Sequence, residues 1–167
     1  MIAAAVLALA TLGGGCYPPP VPDAISVPFV RPSCAYCPGH RGVEYQLAEP
    51  VDVVAVADGT VTFAGVVVGA RFVVVLQRDG LKATYGLLSS AAPTTGDVVR
   101  QGQVVGRSSL RLYLGLRDAD GQPIDPTPLL GRWVSRPRLA PTDGRLPRAG
   151  PPPRLACGGQ VSGASAV

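Results

Sequence analysis

The residues best suited to chemistry lie close together between positions 34 and 44. Cys34, Cys37, His40 and Glu44 follow one another as C-x2-C-x2-H-x3-E. Thiolate, imidazole and carboxylate are the side chains that bind zinc in proteins, so these four would in principle complete a tetrahedral site. The C-x2-C is equally a dithiol–disulfide pair. His40 is the only histidine of the chain. That excludes a zinc site built from two or three histidines and any mechanism using one histidine as ligand and another as base. A redox C-x-x-C belongs at a helix N-terminus within a βαβ unit. This one stands in Pro-Ser-Cys-Ala-Tyr-Cys-Pro-Gly, ahead of strand-like sequence. A Cys34–Cys37 disulfide is the expected pairing, with Cys157 free or intermolecular.

A β scaffold must position these groups. The chain has 167 residues, the length of one ordinary domain. Its 21 glycines and 18 prolines disfavour long helices. No segment sustains a 3.6-residue apolar period. Instead, short apolar runs alternate with turns: 51–57, an Asp58-Gly59 turn, 60–68, a Gly69-Ala70 turn, 71–77, an Arg78-Asp79-Gly80 turn, 81–86, and then 110–117 before Asp118–Gly121. The runs VVAVA, GVVV and FVVVL read as strands buried on both faces. The expected fold class is all-β: a compact antiparallel sandwich or barrel of short hairpins, similar to a duplicated hybrid motif, over about 28–130.

The flanks differ in composition. Residues 2–12 (IAAAVLALATL) are too short to cross a bilayer and fit the apolar part of an export signal. Residues 1–16 are therefore expected to be a signal peptide or, if Cys16 is lipidated, a lipoprotein signal that anchors the protein to a membrane. Residues 17–27 read as a Pro-rich linker. Residues 131–167 carry six arginines against one aspartate and read as a basic, mostly disordered Pro/Gly-rich tail. The remainder of the chain is close to neutral and aromatics are only 5%, which argues against a nucleic-acid partner.

Six strings in order and spacing resemble the lysostaphin/LytM-type murein endopeptidase family (peptidase family M-twenty-three). They are His40–Glu44, like H-x-G-x-D; Glu49–Val61, like G-x-P-V-x-A-x-x-D-G-x-V; Ala83–Ser89, like T-x-Y-x-H-L-S; Gly96–Gly106, like G-D-x-V-x-x-G-Q-x-I-G; Arg111–Arg117, where H-L-H-F-E-V-R is expected; and Gly121–Pro126, like G-x-P-v-D-P. The resemblance implies a murein setting and zinc held by the opening His, the Asp four residues on, and the second His of H-x-H. The other two histidines would assist water and oxyanion. Here only His40 is unchanged. The Asp position is Glu44, the third ligand position is Tyr113, and the helper positions are Leu87 and Arg111. Tyrosine is a poor zinc ligand, leucine transfers no proton, and arginine stays protonated.

The expected protein is an exported, catalytically inactive domain of the bacterial cell envelope or exterior. It would bind peptidoglycan or regulate a cell-wall hydrolase, with no cofactor. His40, Glu44, Tyr85, Arg111 and Tyr113 are its groove candidates. His40 and Glu44 either bind a ligand or hydrogen-bond each other, and Arg111 either contacts a peptide carboxylate or pairs with Glu44. The alternative is a working zinc endopeptidase with unusual ligands among Cys34, Cys37, His40 and Glu44. A third reading is a biotinyl/lipoyl-like carrier or adaptor module with Lys82, the only lysine, as the modified residue.

Overall fold

The computed structural model describes residues 16–34, 36–135 and 152–157. Residues 2–12, read above as the apolar part of an export signal, lie outside them. The strands are β1 (Ile25–Val27), β2 (Val43–Gln46), β3 (Asp52–Val54), β4 (Gly59–Val67), β5 (Ala70–Gln77), β6 (Lys82–Ala91), β7 (Val98–Val99), β8 (Val104–Arg117), β9 (Pro123–Ile124), β10 (Arg132–Val134) and β11 (Arg154–Ala156). A 3-10 turn at Thr127–Leu129 is the only helical element among the described residues. All strand pairs are antiparallel, as expected for an all-β fold of hairpins.

Nine strands form one sheet in the order β1-β2-β8-β6-β5-β4-β7, and β3 and β9 also pair with β8. The 14-residue β8 is the spine. Strand alternation sends Leu112, Leu114 and Leu116 into the core, where they meet Val73, Val75, Ala83 and Tyr85, all fully buried. Arg111, Tyr113, Gly115 and Arg117 therefore share the opposite face.

Three sequence expectations change. Asp58-Gly59 is not a hairpin turn, because β3 pairs with β8 rather than β4. Asp58 instead accepts the Gln101 N–H at 2.8 Å. Gly59 is needed for close approach: a Cβ there would stand 2.4 Å from the Leu76 carbonyl oxygen. Second, GVVV is not buried. Val66, Val67 and Val68 are exposed at the β4–β5 tip, where the turn is Val68-Gly69, one residue earlier than expected, with φ of +48° and +80°. Third, β6 runs on to Ala91, through a bulge at Leu87 whose φ is +62°.

The flanks are also more integrated than their composition implied. Tyr17 and Val21 are buried in the core, so the first part of the Pro-rich segment is not a free linker. Tyr17 N–H donates to the Leu129 carbonyl at 2.9 Å, and the Tyr17 hydroxyl donates to Asp79. The basic tail is ordered at both of its described stretches. β10 pairs with β11, and Cys157 forms a disulfide with Cys16 across 141 residues. Cys157 is thus neither free nor intermolecular. A Cys16 sulfur held in a disulfide cannot carry a lipid thioether, so this bond and lipidation exclude each other. The rest of the tail lies outside the described residues.

Candidate functional site

The β2–β8 register sets Glu44 opposite Tyr113 and Gln46 opposite Arg111. His40 precedes β2 and is fixed by two backbone hydrogen bonds with Val30, each 2.9 Å. Its ring lies between two acceptors, with Nδ1 3.0 Å from the Pro28 carbonyl and Nε2 3.3 Å from Glu44 Oε1. Arg111 Nη2 donates to the other Glu44 oxygen, Oε2. The His40 ring stands edge-on to Tyr113, at 6.0 Å and 86°. Four of the five groove candidates therefore converge. Glu44 joins His40 to Arg111, and the internal ion pair weighed from the sequence is present.

Tyr85 is the exception. Alternation turns it into the core, where its hydroxyl accepts the Val56 N–H at 2.8 Å. Burial pushes its pKa far above the ordinary tyrosine value. The groove itself is a cavity of about 380 Å³ walled by Glu44, Phe72, Thr84, Leu87, Tyr113 and Arg117. Arg117, Phe72 and Thr84 were missed from the sequence. The period-2 face Arg111, Tyr113, Gly115, Arg117 carried the sign for Arg117, while Phe72 and Thr84 come from strands placed there only by the sheet order.

Glycines hold the Tyr113 ring in place. A Cβ at Gly42 or Gly115 would come within 2.7 or 2.6 Å of Tyr113 atoms. Burial raises the Tyr113 pKa, partly opposed by the nearby Arg117 and Arg41 guanidinium groups. Burial also pushes Glu44 upward, but the hydrogen bonds from Arg111 and His40 outweigh it and hold the carboxyl below its ordinary value.

This donor set does not fit the zinc ion that the resemblance implies. Glu44 already faces a guanidinium cation, Leu87 and Arg111 offer no lone pair, and Tyr113 is a protonated phenol. Cys34 and Cys37 are bonded to each other, as expected, so neither thiolate is available to the C-x2-C-x2-H-x3-E set. Among the described residues no three His, Cys, Asp or Glu side chains converge.

Residues 38–126 match the sequence model of Peptidase family M23. The chain belongs to peptidase family M23. Within and around that family, 100 residues are 34% identical to Murein hydrolase activator EnvC of Escherichia coli K12, covering 55% of this chain and 24% of EnvC. The chain thus spans about a quarter of that curated relative. Among solved structures, Helicobacter pylori Csd3 superposes with a TM-score of 0.61 at 27% identity, covering 70% of this chain and 35% of Csd3. The catalytic domain of lysostaphin from Staphylococcus simulans, at 19% identity, shares the fold with a TM-score of 0.54 over 64% of this chain and 90% of its own. The family match removes the carrier reading, and Lys82 lies within β6, not at a hairpin tip.

Proposed function

We propose that this is a non-catalytic M23 domain of the bacterial cell envelope that binds peptidoglycan through the groove over β8. One observation carries the reading: Arg111 occupies the Glu44 carboxylate, at a position where the resemblance expects a histidine. A guanidinium neutralises the ligand a zinc ion would need and cannot act as a base. What remains is a walled cavity with apolar sides (Phe72, Leu87, Tyr113) and polar points (Glu44, Thr84, Arg117), the composition of a binding site. Two disulfides suit an oxidising compartment and support export. Neither zinc nor nucleic acid has a place in this reading.

The test is metal analysis of the purified protein together with digestion and co-sedimentation of purified sacculi. Binding without turnover is expected. One equivalent of zinc, with turnover abolished by His40→Ala, would overturn the proposal.

A second reading is favoured by the identity to a murein hydrolase activator: the domain regulates a separate wall hydrolase. It predicts faster release of labelled murein by such a hydrolase when this protein is added, and loss of the effect in a Tyr113→Ala variant.

A further inference from the structure

The β4–β5 hairpin, residues 59–77, carries one charged side chain, Arg71. Asp58 and Asp79 flank it at its base. Asp97 reaches it at Val61, whose N–H donates to the Asp97 carbonyl at 2.8 Å, while the Asp97 carboxylate accepts from the Thr94 N–H and hydroxyl. Val67 lies six residues further out, about 20 Å of strand. Toward that end the hairpin turns apolar side chains to solvent. Phe63 is exposed, Val66 is 58% exposed, Val67 is 47% exposed, and Val68 is fully exposed. Adjacent strand residues point to opposite faces, so Val66 and Val67 make both faces of the tip apolar.

Val68 supplies a second, independent observation. It holds φ +48° in the Val68-Gly69 turn. A β-branched residue is strongly disfavoured in left-handed backbone, where glycine or asparagine stands readily. A buried residue offsets such strain by packing, but Val68 is fully exposed and gains none. Strain held without any return in packing marks a contact made outside the chain.

Whatever covers this tip must be apolar on every side. A second copy stacked on one face leaves the other in water, whereas a bilayer surrounds a protrusion completely. The charge agrees. Across the ladder Val66 pairs with Arg71 and Val67 with Ala70, so residues 67–70 project past Arg71 by about two residues, roughly 7 Å. No carboxylate pairs with Arg71 among the described residues. Apolar groups that reach about 5–10 Å into a bilayer, below a cation whose stem lets it rise to the lipid phosphates, make an interfacial anchor.

We propose that the tip of the β4–β5 hairpin, residues 66–70, inserts into the surface of a lipid bilayer with Arg71 on the phosphates of anionic headgroups. Phe72, a wall of the groove, pairs with Gly65, about 10 Å of strand from Val68, so insertion brings the groove to the membrane surface. The contact does not depend on what the groove binds.

The test is flotation of the purified full chain with vesicles of phosphatidylethanolamine and phosphatidylglycerol, and with vesicles of phosphatidylcholine alone. Wild type is expected to float with the anionic vesicles. Val68→Asn suits the turn and should fold at least as stably, yet lower the bound-to-free ratio about tenfold, the worth of one valine side chain taken from water. Arg71→Gln should lower it about fivefold on the anionic vesicles and leave it unchanged on the neutral ones. In bicelles of the anionic lipids carrying a spin-labelled lipid, the amide resonances of residues 66–70 should broaden. No flotation with either vesicle, flotation undiminished in Val68→Asn, or broadening that spares residues 66–70 overturns the proposal. Self-association that Val68→Asn abolishes, with no binding to vesicles, assigns the tip to a second copy and overturns it as well.

Discussion

Replacing Arg111 by methionine removes the cation that faces Glu44 and keeps most of the aliphatic stem. The Glu44 side chain is 14% exposed and that of Arg111 55% exposed. The pair therefore lies between an exposed ion pair, worth about 0–1 kcal/mol, and a buried one, whose disruption costs about 3–5 kcal/mol. Solvent screening of the arginine keeps the expected loss near the lower end, about 1–2 kcal/mol at about pH 7. For a chain of 167 residues that lowers Tm by roughly 2–8 °C. The pH dependence follows from the direction of the Glu44 shift. Its folded pKa lies below the ordinary 4.5, so its contribution is present above 4.5 and is lost as pH falls through the folded value. In Arg111→Met the burial that raises the pKa is opposed by His40 alone. The gap between wild type and variant should accordingly be full at about pH 7 and shrink at an acid pH, as Glu44 becomes protonated in both. Thermal unfolding followed by circular dichroism at the two pH values, with Glu44→Gln completing a double-mutant cycle, measures this. Equal Tm values at neutral pH, or a gap undiminished in acid, would refute the ion-pair account.

Other outcomes follow from the same structure. His40 Nε2 and Glu44 Oε1 are 3.3 Å apart, close to the edge of a tetrahedron of zinc ligands with roughly 2.0 Å bonds. Arg111→Ala combined with Tyr113→His should therefore create measurable zinc binding by calorimetry, absent in Arg111→Ala alone. Val68 is fully exposed and holds φ +48°, so Val68→Asn relieves a β-branched residue in left-handed backbone without loss of packing. It should raise stability by about 1 kcal/mol, read as a higher urea midpoint. The Cys16–Cys157 bond closes a loop of 141 residues. Cys157→Ser should lower stability by up to about 5 kcal/mol, and reductant should remove that difference from wild type in a denaturant titration.

Much of the site was legible because β-strands alternate. In Leu110–Arg117, leucines at every even position set Arg111, Tyr113, Gly115 and Arg117 together on the other face. Tyr85 obeys the same rule and faces inward. Cross-strand pairing puts it against Leu114, on the core side. The flanks misled for a different reason. Composition reports whether a segment can order itself, and it does not register a partner elsewhere in the chain. Tyr17 finds Leu129 and Asp79, and β11 finds β10, across most of the sequence.

From the sequence alone followed the all-β class, the ordered series of motifs, the Cys34–Cys37 bond, and the chemical poverty of positions 87, 111 and 113 for hydrolysis. Each rests on residue types, local turns or alternation, which act over a few residues. Only the tertiary structure decided that Arg111 neutralises Glu44, that Phe72 and Thr84 wall the groove, and that Cys16 meets Cys157. Those contacts depend on sheet order and register, set by burying the leucine face of β8 against β5 and β6, and no local pattern encodes them.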